Sequence, residues 1–208
     1  MTGTGFLSLI PYPDKLNQLP VLITCNHVIN GDEKEVKLIF NDKFTKILKL
    51  DDKRKIYIDN EKDIAIIEIK KEDNYNYNDM LEIDYNIFEE KNIKELKSIY
   101  IIHYPFGKES SLSIGLIDKI KDEDITHKCA TESVSSGAPI INLNNFKVIG
   151  INIGADKVLS LNIGLLLKES INNFNKNENI KGILIYENCD IYEGEIKNGF
   201  SEGKGIYY

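Results

Sequence analysis

The sequence has few cysteines and no long apolar run. Its three cysteines, Cys25, Cys129 and Cys189, are an odd number, and no two of them are spaced C-x-x-C. A disulfide framework and a zinc site are therefore not expected, and a reducing compartment fits best. Residues 1–10 lack the basic start and apolar stretch of a signal peptide, and no later stretch is long enough to span a bilayer. These absences predict a cytoplasmic protein.

Positive charge is also scarce. Lys and Arg total 26 against 33 Asp and Glu, which gives a net charge of −7, and no long basic stripe offsets this balance. Binding to a nucleic-acid backbone is therefore not expected. With 208 residues, of which 42% are hydrophobic, the chain can bury one substantial core or two small cores that share an interface.

Short runs rich in Ile, Val, Leu and Tyr recur between turn-forming clusters, which is typical of an all-β, mainly antiparallel protein. The predicted strands are 4–10, 20–25, 35–40, 44–50, 54–58, 63–69, 98–104, 112–120, 139–142 and 146–153. Helical periodicity is confined to 86–97 and 164–174. Three segments dense in Asp, Lys, Glu and Asn are interpreted as solvated hairpin tips and a connector. These segments are 30–35, 51–55 and 70–79.

Three separated segments could supply the groups that attack an amide. Such chemistry needs a hydroxyl, a base within hydrogen-bond reach and a carboxylate that orients the base. His27 ends an apolar strand in V-L-I-T-C-N-H-V, Asp63 opens another in D-I-A-I-I-E-I, and Ser136 precedes glycine in S-V-S-S-G-A-P-I. A strand-end histidine alone is more often structural, so the order His, Asp, Ser along the chain is the stronger observation.

These segments resemble those of chymotrypsin-like serine peptidases. T-C-N-H-V is similar to their T-A-A-H-C, D-I-A-I-I to D-I-A-L-L, and S-S-G-A-P to D-S-G-G-P. The run V-S-S-G-A-P-I followed by V-I-G, G-T-G-F at 3–6 and H-Y-P-F-G at 103–107 resemble the trypsin-like peptidases related to glutamyl endopeptidases. The resemblance covers roughly residues 3–175.

The resemblance implies two six-stranded antiparallel β-barrels and a serine endopeptidase that works through an acyl-enzyme. It assigns His27 as general base, Asp63 as the residue that orients it, and Ser136 as nucleophile. The backbone N–H groups of Val134 and Ser136 would form the oxyanion hole. A peptide or protein substrate is implied, and no metal or organic cofactor.

Two residues depart from the family pattern. Val134 stands where the family carries glycine, and a β-branched residue resists the backbone angles that glycine accepts. The oxyanion hole is therefore expected to be distorted or to form only when substrate binds. Ser135 replaces the aspartate that captures a freed N-terminus in zymogens, so that switch should be absent and the Ser135 side chain should point away from the site.

Substrate preference depends on two further positions. Thr131 and Asn152 fall where glutamyl endopeptidases hold the substrate side chain, which implies a polar or acidic preference; both could equally be ordinary polar strand residues. Cys25 shares a strand face with His27 and is expected to pack beneath it. His103 is interpreted as a turn or packing residue and His127 as exposed.

The chain changes character from residue 181 onward. Its aromatic and glycine positions resemble a MORN repeat, whose units are stacked β-hairpins; they are Tyr192, Gly194, Gly199, Gly203 and Gly205. We therefore predict a peptidase domain over 1–178 and a repeat segment over 179–208 that begins a longer array. The repeats would bind a protein or a membrane surface. A catalytically impaired binding module and a repeat-based scaffold are the alternative functions.

Overall fold

The computed structural model describes most of the chain, in two units. The described residues are 2–12, 17–29, 34–40, 44–51, 54–156, 158, 160–176, 180–185, 191–197 and 200–207. The first unit is Met1–Ser170 and the second is Ile171–Tyr208. The predicted domain boundary between 178 and 179 lies outside the described residues and stays a prediction.

Among the described residues, the N-terminal half of the first unit has seven strands. They are β1 (Gly5–Pro11), β2 (Gln18–Thr24), β3 (Glu35–Phe40), β4 (Phe44–Lys49), β5 (Ile56–Asp59), β6 (Ile64–Glu68) and β7 (Leu81–Glu82). Five of them form one sheet in the order β5-β6-β2-β1-β7, and only the β1–β7 pair is parallel. Strands β3 and β4 pair with each other as a separate hairpin.

Among the described residues, the hairpin packs on the sheet through side chains, and no strand of the hairpin pairs with the sheet. Alternate residues of β3 are exposed, so its other face carries the apolar contacts. The core beneath the hairpin combines buried residues of β1, β2, β4 and β6 with partly buried residues of β3. Its buried members are Leu7, Leu22, Ile29, Leu48, Ala65, Ile67, Ile69 and Met80, flanked by Leu9, Val36, Leu38, Phe40, Leu50, Ile56 and Tyr75.

Arg54 fastens the hairpin to the sheet. Its guanidinium donates to the carbonyl of Lys49 at the end of β4 and to that of Glu68 at the end of β6, each at 2.7 Å. It also donates to both carboxylate oxygens of Asp73, at 2.7 and 2.9 Å. Arg54 is only 7% exposed, so the expectation that 51–55 and 70–79 are merely solvated is wrong at these two residues. The sequence could not show that the two charges neutralise each other.

Six strands close into a barrel in the C-terminal half of this unit. They are β8 (Ser98–His103), β9 (Ser111–Lys121), β10 (Asp124–His127), β11 (Pro139–Asn142), β12 (Val148–Asp156) and β13 (Leu161–Leu166). The order around the barrel is β10-β13-β12-β11-β8-β9. The prediction of two six-stranded barrels is therefore confirmed for this half only. In the described part of the N-terminal half, side-chain packing of the hairpin replaces the hydrogen bonds that would close a barrel.

Strand β13 corrects the prediction of a helix over 164–174. A Cβ built on Gly164 would lie 2.3 Å from the side chain of Ile140 and 2.8 Å from the carbonyl of Ile151, so this glycine permits a close strand approach across the barrel. The helix itself begins only after the strand has ended. The α-helices are α1 (Asn26–Ile29), α2 (Glu90–Ile93) and α3 (Lys168–Lys176). The predicted helix over 86–97 is reduced to α2 and the 3-10 turn Tyr85–Phe88.

The second unit contains a three-stranded antiparallel sheet. Its strands are β14 (Ile180–Ile185), β15 (Ile191–Lys197) and β16 (Phe200–Tyr207), with β15 in the middle. Gly194 of β15 stands opposite Gly182 on one side and Gly205 on the other. The MORN assignment stays a prediction, and one of its positions, Gly199, lies outside the described residues. No helix in the described ranges is long and apolar enough to cross a membrane.

Candidate active site

His27 and Asp63 form a close pair joined at two points. The Nδ1 atom of His27 lies 2.6 Å from Oδ2 of Asp63, and the backbone N–H of His27 donates to Oδ1 at 2.9 Å. The N–H of Asn26 donates to the backbone carbonyl of Asp63 at 3.1 Å. Asp63 has φ +52° and directly precedes β6, while His27 lies in the short helix that follows β2. Because β2 and β6 are neighbours, the sheet itself brings the two side chains together.

Lys62 links the turn that carries Asp63 to the C-terminal half. Its ammonium lies 2.6 Å from the carboxylate of Glu123, between β9 and β10, and also bonds Glu169 in α3. Burial opposes the charge of Lys62, but the hydrogen bonds that its ammonium donates to the two glutamates outweigh this effect and raise the pKa of Lys62. Through this contact, the turn that precedes Asp63 is bonded to the C-terminal half, which carries Ser136.

Cys25 lies beneath the His27–Asp63 pair, as predicted. It is fully buried, and its thiol donates to the carbonyl of Asn152 at 3.6 Å. Burial, followed by the negative charge of Asp63, raises the pKa of Cys25 well above its usual range. The Cys25 sulfur, His27 and Asp63 ligand atoms lie within 4.8 Å of one another, which would suit a metal ion. A neutral buried thiol and the direct hydrogen bond between His27 and Asp63 make this trio a poor ligand set.

Ser136 directly follows one tight turn and is the second residue of another. In the first turn, the N–H of Ser135 donates to the carbonyl of Glu132 at 3.1 Å, and the third residue, Val134, has φ +74°. In the second, the N–H of Ala138 donates to the carbonyl of Ser135 at 3.2 Å, and the third residue, Gly137, has φ +91°. A positive φ at the third position is the feature of a type II turn. Val134 thus adopts the angle that its side chain resists, and the surrounding structure imposes it.

The start of β1 brings the Ser136 loop next to the segment that carries His27. The N–H of Thr4 donates to the carbonyl of Ser136 at 2.9 Å. A Cβ on Gly3 would lie 2.3 Å from the side chain of Val28 and 3.1 Å from that same carbonyl. A Cβ on Gly137 would lie only 1.9 Å from the carbonyl oxygen of Thr4. The two glycines therefore allow a contact between the halves that side chains would prevent.

The Ser136 hydroxyl donates to the carbonyl of Ile153 at 2.7 Å. Within the described part of the chain, no hydrogen bond joins the Ser136 Oγ to the His27 ring. Among the same residues, the backbone N–H groups of Val134 and Ser136 have no acceptor, whereas those of Ser135 and Gly137 are bonded. Two unpaired N–H groups thus flank the buried Ser135.

Asn152 and Thr131 lie in a hydrogen-bonded network inside the barrel. Asn152 is 1% exposed; its Nδ2 donates to the carbonyl of Ser135 at 3.1 Å, and its Oδ1 lies 3.1 Å from Nε2 of His127. Thr131 is half-buried and donates to Oδ1 of Asn162 at 2.7 Å. The expectation that His127 is exposed is wrong, because this ring is fully buried, and burial lowers the pKa of His127 to about 4.

His103 is the functional candidate that sequence reasoning assigned only to packing. It ends β8, is 3% exposed, and its Nδ1 lies 2.6 Å from Oγ of Ser135. Ser135 Oγ thus contacts His103 rather than His27, in line with the prediction that the Ser135 side chain points away from the site. The signal in the sequence was the position of His103 at the start of H-Y-P-F-G, but the sequence does not reveal which loop that segment contacts.

The fold is that of chymotrypsin-like proteases. Over 88% of this chain and 67% of the other, it aligns with a structure described as "HtrA-type protease AlgW with decapeptide", at 14% identity and a TM-score of 0.56. Over 81% of this chain and 85% of the other, it aligns with Deg5, at 16% identity and a TM-score of 0.53. No curated protein sequence matches the chain. Residues 3–151 match the family described as the trypsin-like peptidase domain, and the chain belongs to that family.

Proposed function

We propose that the chain is a serine endopeptidase with Ser136 as nucleophile, His27 as general base and Asp63 as the residue that orients the base. The observation that carries this proposal is the two-point bond of His27 to one carboxylate. Because the Asp63 carboxylate accepts both the backbone N–H and the ring Nδ1–H, it fixes the ring plane and its tautomer. The other ring nitrogen, Nε2, then keeps a lone pair that can accept the proton of Ser136.

The reaction begins when the Ser136 hydroxyl leaves the carbonyl of Ile153 and turns toward His27. Ser136 Oγ attacks the carbonyl carbon of the substrate as Nε2 of His27 takes its proton. The N–H groups of Val134 and Ser136, which have no acceptor within the described residues, stabilise the negative oxygen of the tetrahedral intermediate. His27 then gives its proton to the leaving amine, and water hydrolyses the acyl-enzyme by the same steps in reverse.

An extended peptide can bind along the edge of β12. On one side this strand pairs with β13, and on the other it pairs with β11 only over Val148–Ile151. Residues 153–155 therefore keep an edge with which a further strand can pair. A Cβ on Gly154 would meet nothing within 4 Å, so the face of the strand beside this edge is open as well. The AlgW structure holds a decapeptide, which supports a peptide substrate here.

For the substrate side chain we propose a polar or acidic preference, in line with the resemblance to glutamyl endopeptidases. Thr131 is the half-buried hydroxyl that would contact it. Asn152 would act on the substrate side chain indirectly. Its amide lies inside the barrel, where it donates to the carbonyl of Ser135 and so supports the Ser136 loop. The segment from 179 onward would place the peptidase on a protein partner or a membrane surface in the cytoplasm, through MORN repeats.

A binding module without catalysis is the second candidate. The observation that favours it is the strained backbone of Val134. Catalysis would require the N–H of this residue to donate a hydrogen bond to the oxyanion. The Ser136 hydroxyl also bonds Ile153 instead of His27. In this case a peptide would bind at the β12 edge and remain intact.

Labelling with a fluorophosphonate probe separates the two candidates. We expect the wild-type chain to react and the Ser136→Ala and His27→Ala variants not to react, whereas Asp63→Asn should react at least about a hundred times more slowly because the ring loses its orientation. Ser133→Ala is the matched control, since Ser133 is an exposed serine on the same loop.

Absence of labelling in the wild type would contradict the peptidase proposal. If Val134→Gly then restored labelling, the binding-module function would be favoured, because only the strained donor would have been repaired. Labelling that persists in Ser136→Ala would show that another nucleophile reacts.

A further inference from the structure

One segment at the end of β8 holds the loop of Ser136 at two points. His103 contacts Ser135 with Nδ1 and Oγ 2.6 Å apart, and both side chains are almost fully buried. Three residues further on, the N–H of Phe106 donates to the carbonyl of Ser133 at 2.8 Å. The two contacts bracket Val134, whose N–H is a proposed oxyanion donor.

The hydrogen bonds define which form of His103 is present. Ser135 Oγ accepts the N–H of Glu132 at 3.1 Å, so its own proton needs a different partner. Among the described residues, His103 Nδ1 is the acceptor in reach. The ring is therefore neutral, with its proton on Nε2. Burial lowers the pKa of His103 and so supports the neutral form, while the negative charge of Glu132, the charged group that acts on this ring, opposes the shift.

The contact with Phe106 sets the direction of the Val134 N–H. In a trans peptide the C=O and N–H point in opposite directions. Because the C=O of Ser133 points at Phe106, the N–H of Val134 points away from the Pro105–Gly107 turn. This turn is itself constrained, since Phe106 has φ +53°.

The turn that contains Val134 has an alternative backbone conformation with less strain. Rotation of the Ser133–Val134 peptide by half a turn converts a type II turn into type I and brings the φ of the third residue to a negative value. That flip would relieve the strained positive φ of Val134. It would also break the bond to Phe106 and reverse the N–H of Val134. With valine rather than glycine at this position, the loop depends on the contacts that hold it.

We infer that His103 is a positioning residue for the oxyanion site, which as a neutral hydrogen-bond acceptor fixes Ser135 and keeps the Val134 N–H turned toward the substrate. This inference rests on the proposed peptidase function for its catalytic consequence. Its structural part, the dependence of the loop on His103, holds in a catalytically inactive chain as well.

Protonation of His103 would remove the acceptor of the Ser135 hydroxyl. The labelling rate of the wild type should therefore fall more steeply on acidification than that of a variant with an acceptor that cannot titrate at position 103.

The test combines three variants with two measurements. His103→Leu removes the acceptor, His103→Asn places an amide oxygen where Nδ1 stood but cannot titrate, and Ser135→Ala removes the donor. The measurements are the rate of fluorophosphonate labelling and the hydrogen exchange of the Phe106 and Ser135 amides, which need no activity. Both are made on the full chain, and circular dichroism confirms that each variant is folded.

We expect His103→Leu and Ser135→Ala to label about 10 to 100 times more slowly, since a displaced oxyanion donor loses part of its effect. Both should also exchange the Phe106 amide at least about tenfold faster. The double variant should be no worse than either single one. His103→Asn should keep the rate within about threefold at neutral pH and lose rate less steeply than the wild type as the pH is lowered.

The outcomes separate the two proposals. If the wild type labels but folded His103→Leu labels and exchanges as fast as wild type, the positioning role is wrong and the peptidase function stands. If the wild type fails to label but His103→Leu still accelerates exchange at Phe106, the peptidase function fails and the loop contact is retained. If His103→Asn behaves like His103→Leu, the hydrogen-bond acceptor is not what matters, and the inference is overturned.

Discussion

Replacing Arg54 with methionine should destabilise the first unit strongly. The guanidinium makes four hydrogen bonds, two of them to the carboxylate of Asp73, and its side chain is only 3% exposed. Methionine fills a similar volume but leaves the Asp73 charge without its partner in a site where that side chain is 11% exposed. Removing one member of a buried ion pair costs about 3–5 kcal/mol. For a unit of this size, about 4 kcal/mol lowers the melting temperature by roughly 10 °C.

The pH dependence gives an independent check on Arg54. Burial alone would raise the pKa of Asp73, but hydrogen bonds from Arg54 and from the N–H of Lys70 outweigh it and lower the pKa. A lowered pKa in the folded state contributes stability above the pKa of the unfolded chain, and this contribution is lost as pH falls below about 4. The Arg54→Met variant should therefore lose less stability on acidification than the wild type.

Urea and thermal unfolding, followed by circular dichroism at pH 7 and pH 3, measure both effects. Lys37→Met is the matched control, because Lys37 is an exposed cation on the same hairpin and should change stability by less than about 0.5 kcal/mol. Arg54→Lys should recover only part of the loss, since an ammonium cannot reproduce the planar fork. A loss below about 1 kcal/mol for Arg54→Met, or additivity with Asp73→Asn, would refute the reasoning that the pair is buried and coupled.

Three further perturbations have defined outcomes. Gly137→Ala should cost at least about 3 kcal/mol and abolish labelling, because its Cβ would lie 1.9 Å from the Thr4 oxygen at a φ of +91°; an active, stable variant would contradict this close approach. Lys62→Met should lower stability by about 1–2 kcal/mol at pH 7, since two carboxylates lose their shared cation, and exposed Lys71→Met should not. Burial lowers the pKa of His127 to about 4, so the unfolded chain binds protons first and stability should fall by about 3 kcal/mol between pH 6.5 and 4. A His127→Gln variant that keeps the whole of this loss would show that the ring is not its source.

The groups of the candidate site lie near one another, but they are not yet in a reactive arrangement. Val134 is strained, and the Ser136 hydroxyl bonds the carbonyl of Ile153 instead of the His27 ring. A peptide that pairs with the β12 edge would approach the Ile153 carbonyl and compete with the Ser136 hydroxyl for it. Binding of substrate would then release the nucleophile toward His27. Under the proposed function, substrate binding and activation of the serine are therefore one event.

The class of fold and the segments of the candidate site were predictable from the sequence. His27, Asp63 and Ser136 were singled out by their order along the chain and by the resemblance of their segments to chymotrypsin-like peptidases, and their catalytic roles stay a prediction. Most strands were predictable because alternation and turn residues are local properties of the chain. Cys25 was placed correctly because residues two apart share a strand face.

Contacts between residues far apart in the sequence could not be predicted, because they depend on how the strands and loops pack. The apolar run around Gly164 has no clear period, and it is a strand because the barrel requires a glycine close to Ile151. Arg54 with Asp73 and His103 with Ser135 are pairs whose partners lie on separate elements, and charge or polarity alone does not select one partner among many. The positive φ of Val134 is the plainest case: local sterics favour a negative angle, and the surrounding loop contacts impose the opposite.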